Sequence, residues 1–233
     1  MTSWKNGSWK LGCMLATAIA LGGISLVSIA PAARAQQTLF EEQGNLQPME
    51  DEYTFSGTAG QTVTIAMNSD VFDTLLVLRG PNGQDVTMND DYARSLNSTI
   101  VATLPTTGTY TVLARSFSGQ GGAYRIVVRP ATAYDQAYAR GFEQLRNGQM
   151  DQAIASFTDA IGQDPNQPIV YLDRGDAYYS QGNIQGVVAD YTRAAELYER
   201  AGDTMAAQGL REQLEYMRSN PTPMPMPMPM PMP

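Results

Sequence analysis

The chain has 233 residues, 43% hydrophobic and 16% charged, which suits one or two globular domains. Its 23 acids against 15 basic residues give a net charge of −8, a surface that repels nucleic acid and anionic lipid. There is no histidine, and Lys5, Lys10 and the single cysteine, Cys13, all lie near the start. The rest of the chain therefore offers no disulfide, no Cys-His or Ser-His nucleophile, no ordinary zinc site and no Schiff-base lysine.

Lys5 and Lys10 precede an uncharged run from Leu11 to Ala30, and Pro31-Ala32-Ala33-Arg34-Ala35 places small residues at −3 and −1 of a cleavage site. The pattern predicts a secretory signal peptide over residues 1–35. The alternative is an uncleaved anchor, because the apolar run is long enough to span a bilayer. Cys13 precedes the apolar run and is a poor lipoprotein cysteine. Cleavage takes three positive charges and no acid from −8, which leaves a mature charge of −11. Residues 36–49 are polar and read as a flexible lead-in.

From Glu50 the period becomes two. Tyr53 and Phe55 alternate with polar residues, and Gly57-Thr58-Ala59-Gly60 turns the chain. Val63, Ile65 and Met67 then share one face. Leu75-Leu76-Val77-Leu78 is apolar on both faces and predicts a central strand. Pro81-Asn82-Gly83 is a turn, with Pro presetting φ and Gly accepting positive φ. Val86 and Met88 continue the alternation, as do Ile100, Ala102 and Leu104, then Tyr110, Val112 and Ala114, then Tyr124, Ile126 and Val128. Seven short strands separated by turn residues predict an antiparallel sandwich.

The order Asp51-x-Tyr53-x-Phe55, Ala59-Gly60-Gln61-x-Val63-x-Ile65 and Phe72-Asp73-x-x-Leu75 leads to Pro81-Asn82-Gly83 and Asn89-Asp90-Asp91. Leu104-Pro105-x-x-Gly108-x-Tyr110 and Gly122-x-Tyr124-x-Ile126 complete it. Together these motifs resemble the bacterial pre-peptidase C-terminal domain, a jelly-roll-like antiparallel β-sandwich, over residues 50–130. The resemblance implies an exported bacterial module, non-catalytic, often attached to secreted peptidases for folding or substrate binding. Some relatives of the fold bind calcium. Asp70, Asp73, Asp90 and Asp91 are oxygen donors at loop ends and form the candidate calcium set. The alternative is that Asp73 caps a turn or pairs with an arginine while the others face solvent. No other cofactor is expected.

After Pro130 the period changes to 3.6. Gly141, Gly175 and Gly209 recur every 34 residues, Gly148 pairs with Gly182, Phe157 with Tyr191 and Ala160 with Ala194. A 34-residue helix-turn-helix period reads as tetratricopeptide repeats, with small residues at close helix crossings and an aromatic filling the next gap. Two repeats are expected over residues 134–201, with a capping helix, a partial third repeat, over 202–219. The fold class is thus all-β followed by a short all-α solenoid. The family pattern implies that the concave groove presents Tyr138, Phe142, Leu172, Asp173, Asp176 and Tyr179. It offers no Lys or Arg to clamp a peptide carboxylate, and its two acids favour a basic partner segment. The alternative use of the aromatics is contact with the sandwich across the short link. Residues 220–233 are a Pro-Met tail that disfavours helix and sheet and favours an extended arm.

These readings predict an exported, periplasmic or secreted, non-catalytic scaffold. It binds a protein or peptide through its helical unit, with the sandwich as accessory module, no nucleic acid and no stable membrane insertion after signal cleavage. A carbohydrate or cell-surface binding module, with the sandwich as ligand face, is the alternative. A hydrolase using Asp73 and Asp90 is a third reading.

Overall fold

The computed structural model describes residues 38–46 and 50–220. The export-signal pattern and the Pro-Met repeats from Pro221 onward lie outside the described residues. Among the described residues no helix is long and apolar enough to cross a membrane.

Eight strands form two four-stranded antiparallel sheets. They are β1 (Phe40–Leu46), β2 (Asp51–Gly57), β3 (Thr62–Asn68), β4 (Thr74–Arg79), β5 (Asp85–Asn89), β6 (Ser98–Thr103), β7 (Gly108–Ser116) and β8 (Gly122–Pro130). One sheet runs in the order β1-β8-β3-β6 and the other β2-β7-β4-β5, the strand order of a jelly roll. Period-two alternation drives the inward residues of both sheets into one core, where Val63, Ile65, Met67, Leu76, Leu78, Tyr110, Val112, Ile126 and Val128 are buried. Each such side chain contributes on the order of 1.5–3 kcal/mol by leaving water. At the β4–β5 turn Gly83 adopts φ +77 and donates its N–H to the Gly80 carbonyl at 2.9 Å.

Residues 40–46, read as part of a flexible lead-in, form an eighth strand paired along β8 from Phe40↔Val128 to Leu46↔Gly122. Backbone pairing holds this polar edge strand. Its anchors are the buried Leu46, the tilted contact of Phe40 with Tyr53, and Gly44, where a Cβ would lie 2.5 Å from the Tyr124 ring.

Five helices follow: α1 (Ala133–Arg146), α2 (Met150–Gln163), α3 (Pro168–Ser180), α4 (Ile184–Ala201) and α5 (Thr204–Ser219). Pro168 starts α3 where its missing N–H costs nothing, and Gly202 ends α4 in the left-handed conformation at φ 85. The 34-residue recurrence has a physical cause. A Cβ on Gly141 would lie 2.6 Å from the Phe157 ring, and one on Gly175 2.6 Å from the Tyr191 ring. Both positions let a helix approach an aromatic of its pair. At Gly209 nothing lies within 4 Å, as befits the last helix of the stack.

The sandwich and the helices meet at Asp135. Thr132 caps α1 by accepting the Asp135 N–H at 2.9 Å, while Asp135 Oδ2 accepts the Thr132 N–H at 2.8 Å, a reciprocal capping box. The same carboxylate accepts the Thr64 hydroxyl of β3 at 3.0 Å and two N–H groups of Arg129 on β8, one of them at 3.0 Å. The first turn of the helical unit is therefore bonded to two strands of one sheet.

Candidate functional site

In a stack of helix pairs the concave wall comes from the first helix of each pair, here α1 and α3. The groove residues read from the sequence fall on these two helices: Tyr138 and Phe142 on α1, and Leu172, Asp173, Asp176 and Tyr179 on α3. The four apolar and aromatic members pack in one helical core. Tyr138 donates its hydroxyl to Asp173 Oδ2, and Tyr191 of α4 donates to Asp176 Oδ1. Asp173 and Tyr138 are each only 2% exposed.

A segment of the same chain is seated on this wall. Tyr92–Ser95, between β5 and β6, closes a tight turn through Tyr92 N–H to the Ser95 carbonyl at 3.4 Å and the reverse bond at 3.2 Å. Its two central residues, Ala93 (φ 55) and Arg94 (φ 60), both sit in the left-handed region. The Arg94 guanidinium donates to Asp173 Oδ1 at 2.9 Å and to Asp176 Oδ2. Tyr92 stands edge-on to Tyr138 with centroids 5.5 Å apart and tilts on Phe142 at 5.5 Å.

Tyr138 and Phe142 take the contact with the sandwich. The two acids that favoured a basic partner are both paired, within the chain, with the single guanidinium of Arg94. Sequence reasoning missed Tyr92 and Arg94. The signal available was electrostatic: two acids facing an apolar groove without Lys or Arg require a cation from elsewhere in the fold.

Burial pushes the Asp173 carboxyl up, against the opposing pull of Arg94 and the Tyr138 hydroxyl. Burial, and then the field of these acids, raises Tyr138 and Tyr191 far above the ordinary phenol range. Arg94 stays charged because the two carboxylates outweigh its desolvation. The phenols are thus permanent hydrogen-bond donors at physiological pH. The site thus holds one guanidinium, that of Arg94, and one aromatic ring, that of Tyr92, from its own chain.

The candidate calcium residues are placed differently. Burial raises the Asp73 carboxyl first, then the fields of Asp91 and Asp90, and Asp73 Oδ1 is buried without a hydrogen-bond partner. Burial and then Asp90 raise Asp91. Asp90 Oδ1 accepts the Asp91 N–H at 3.0 Å, and Asp70 is exposed. Among the described residues no group of three or more acids, histidines or cysteines is placed to hold a metal ion.

Residues 50–116 match the family model of the bacterial pre-peptidase C-terminal domain, and residues 143–182 match that of a TPR repeat. The chain fuses these two domain types. Among solved structures, a periplasmic inhibitor of g-type lysozyme from Aeromonas hydrophila, PliG, is similar at 17% identity and TM-score 0.35. That match covers 42% of this chain and 90% of the inhibitor. The pre-peptidase C-terminal domain of a Bacillus anthracis collagenase is similar at 16% identity and TM-score 0.34, over 38% of this chain and 87% of that one. No curated protein sequence matches the chain. Both matched domain types are non-catalytic, and together they make a protein-interaction module.

Proposed function

We propose that this pre-peptidase C-terminal and TPR fusion is an exported, non-catalytic adaptor that binds another protein through the groove of α1 and α3. The sandwich is its accessory module. Export rests on the charge and cleavage pattern of residues 1–35. One observation carries the binding reading: the groove already holds a peptide-like turn, with Tyr92 on Tyr138 and Phe142 and with Arg94 on Asp173 and Asp176. A partner segment that offers an aromatic and a guanidinium would satisfy the same groups. It competes with the internal turn for one set of carboxylates.

The test is capture from an envelope extract by the purified protein and its variants. Arg94→Ala frees the groove and should raise capture. Adding Asp176→Asn to Arg94→Ala should remove that gain. Capture that is equal in all three proteins would overturn the groove as the binding site. A glycan array run beside it reads out the alternative, and glycan binding without protein capture would favour the sandwich as ligand face.

A further inference from the structure

The strands β5 and β6 each end a sheet, and they lie on the same side of the sandwich. Between them and α1 opens a cleft of about 540 Å³ that borders the groove through Tyr92 and Phe142 but includes none of Arg94, Asp173 and Asp176. Its floor is the free edge of β6. In an antiparallel strand successive residues turn their N–H and C=O groups alternately to either side. Leu104, just past β6, bonds toward the β3 side, donating to the Gln61 carbonyl at 2.8 Å and accepting from Gly60 at 2.9 Å. Thr99 points the other way, donating its N–H off the edge to Asn89 Oδ1 at 2.9 Å. By alternation Val101 turns both its N–H and its C=O into the cleft, and Thr103 its N–H. Among the described residues no group covers these three; Thr99 alone is capped, and by a side chain.

The walls differ in chemistry. On one side α1 presents Arg140, Glu143 and Arg146, and on the other β5 presents Met88, which is 63% exposed. Among the described residues Arg146 is the one arginine outside an ion pair; the other eleven each reach a carboxylate. Burial and then Asp90 raise Asp91 and the Arg146 field offsets only part of that rise; no carboxylate lies within ion-pair distance of Arg146. Among the described residues Glu143 on the same wall is also outside an ion pair, so the guanidinium of Arg146, beside the unpaired strand donors, is the one anion position the cleft offers next to its backbone template.

We propose that this cleft binds an extended acidic peptide by strand addition to β6, with a peptide carboxylate on Arg146. This deepens the protein-binding reading and rests on it, at a second surface. The added strand would face alternate side chains to α1 and to β5, so the ligand should alternate carboxylate-bearing and apolar residues, the apolar ones meeting the exposed Met88.

The test pans a phage library of random heptapeptides on the purified full chain, with counter-selection on Val101→Pro. That substitution removes an N–H no ladder uses, and proline is tolerated on an edge strand. Enriched peptides should alternate acidic and apolar positions. N-methylation of one backbone amide in the tightest peptide should cut its affinity about tenfold or more. Arg146→Gln should cost about tenfold and flatten the salt dependence. Comparing peptides amidated and free at the C-terminus tells a side-chain carboxylate from a terminal one. No enrichment over Val101→Pro, or enriched peptides indifferent to N-methylation and to Arg146→Gln, would overturn the proposal. The N-methyl comparison needs no protein variant and stands even if Val101→Pro fails to fold. Envelope capture that follows Arg94 and Asp176 but ignores Val101→Pro sinks this site and leaves the groove reading intact. Peptide binding without envelope capture does the reverse.

Discussion

Arg94 on the sandwich donates to Asp173 in the helical unit at 2.9 Å, across 79 residues of sequence, and this bond joins the two domain types into one polar network. Asp173 is almost fully buried, and its remaining partner is the Tyr138 hydroxyl. The bond also explains how two residues other than glycine persist side by side in the left-handed region. Such a conformation costs about 1–2 kcal/mol per residue and survives only where the surroundings enforce it.

Removing one partner of a buried pair leaves the other charged and unpaired, a loss of about 3–5 kcal/mol. Arg94→Ala should therefore lower stability on that scale, read from urea unfolding. Arg94→Ala with Asp173→Asn should recover part of it, because the stranded charge is gone. A single-variant loss under 1 kcal/mol would mean that Asp173 is satisfied without Arg94.

The turn itself offers a stabilising change. Ala93 at φ 55 carries a Cβ in a region glycine enters freely, while glycine costs about 0.5–1 kcal/mol in the unfolded chain. Ala93→Gly should thus raise stability by about 0.5–1 kcal/mol, the difference between these two effects. A lower melting temperature would show that the Ala93 methyl, which packs on the helical core, outweighs the strain.

Asp135 sets a pH dependence at the junction. Burial pushes its carboxyl up, but Arg129 and the Thr132 backbone and hydroxyl groups outweigh that, so its net shift is below the ordinary 3.8. A depressed acid binds fewer protons in the folded state, so its contribution is present above 3.8 and lost as pH falls below it. Asp135→Asn should cost about 1–3 kcal/mol at neutral pH through the loss of charged hydrogen bonds. The gap between wild type and variant should close below about pH 4. A gap that stays constant from neutral to acid would mean that Asp135 acts through shape alone.

The sandwich and the helical period were legible because both are local patterns. Val63-x-Ile65-x-Met67 alternates within one strand, and Gly141 with Phe157 recurs 34 residues on as Gly175 with Tyr191. Strand β1 was not legible: Glu41, Glu42 and Gln43 carry no apolar face, and the strand is defined by its partner, β8, far along the chain. The occupant of the groove was hidden for the same reason. The positions of Asp173 and Asp176 followed from the repeat, but Arg94 arrives from a loop whose path only the assembled sandwich determines. Thr132-x-x-Asp135 did carry the capping-box spacing, a local signal that could have marked the junction.

Gly175→Leu tests whether the two units share one folding transition. A Cβ at Gly175 would lie 2.6 Å from Cε1 and 2.8 Å from Cδ1 of Tyr191. That ring cannot swing away freely, because its hydroxyl is held by Asp176, which also receives Arg94. Leucine should cost about 1–3 kcal/mol by overpacking. The displaced Tyr191 should then loosen Asp176, and with it the Arg94 turn of the sandwich. Tryptic cleavage after Arg94 reads out that release: it should be slow in the wild type and faster in Gly175→Leu, with the cut rising in step with loss of helix by circular dichroism. If the helices melt while the bond after Arg94 stays protected, the turn is held by the sandwich alone. Asp173 and Asp176 would then be passive recipients of its charge, and the two units would fold independently.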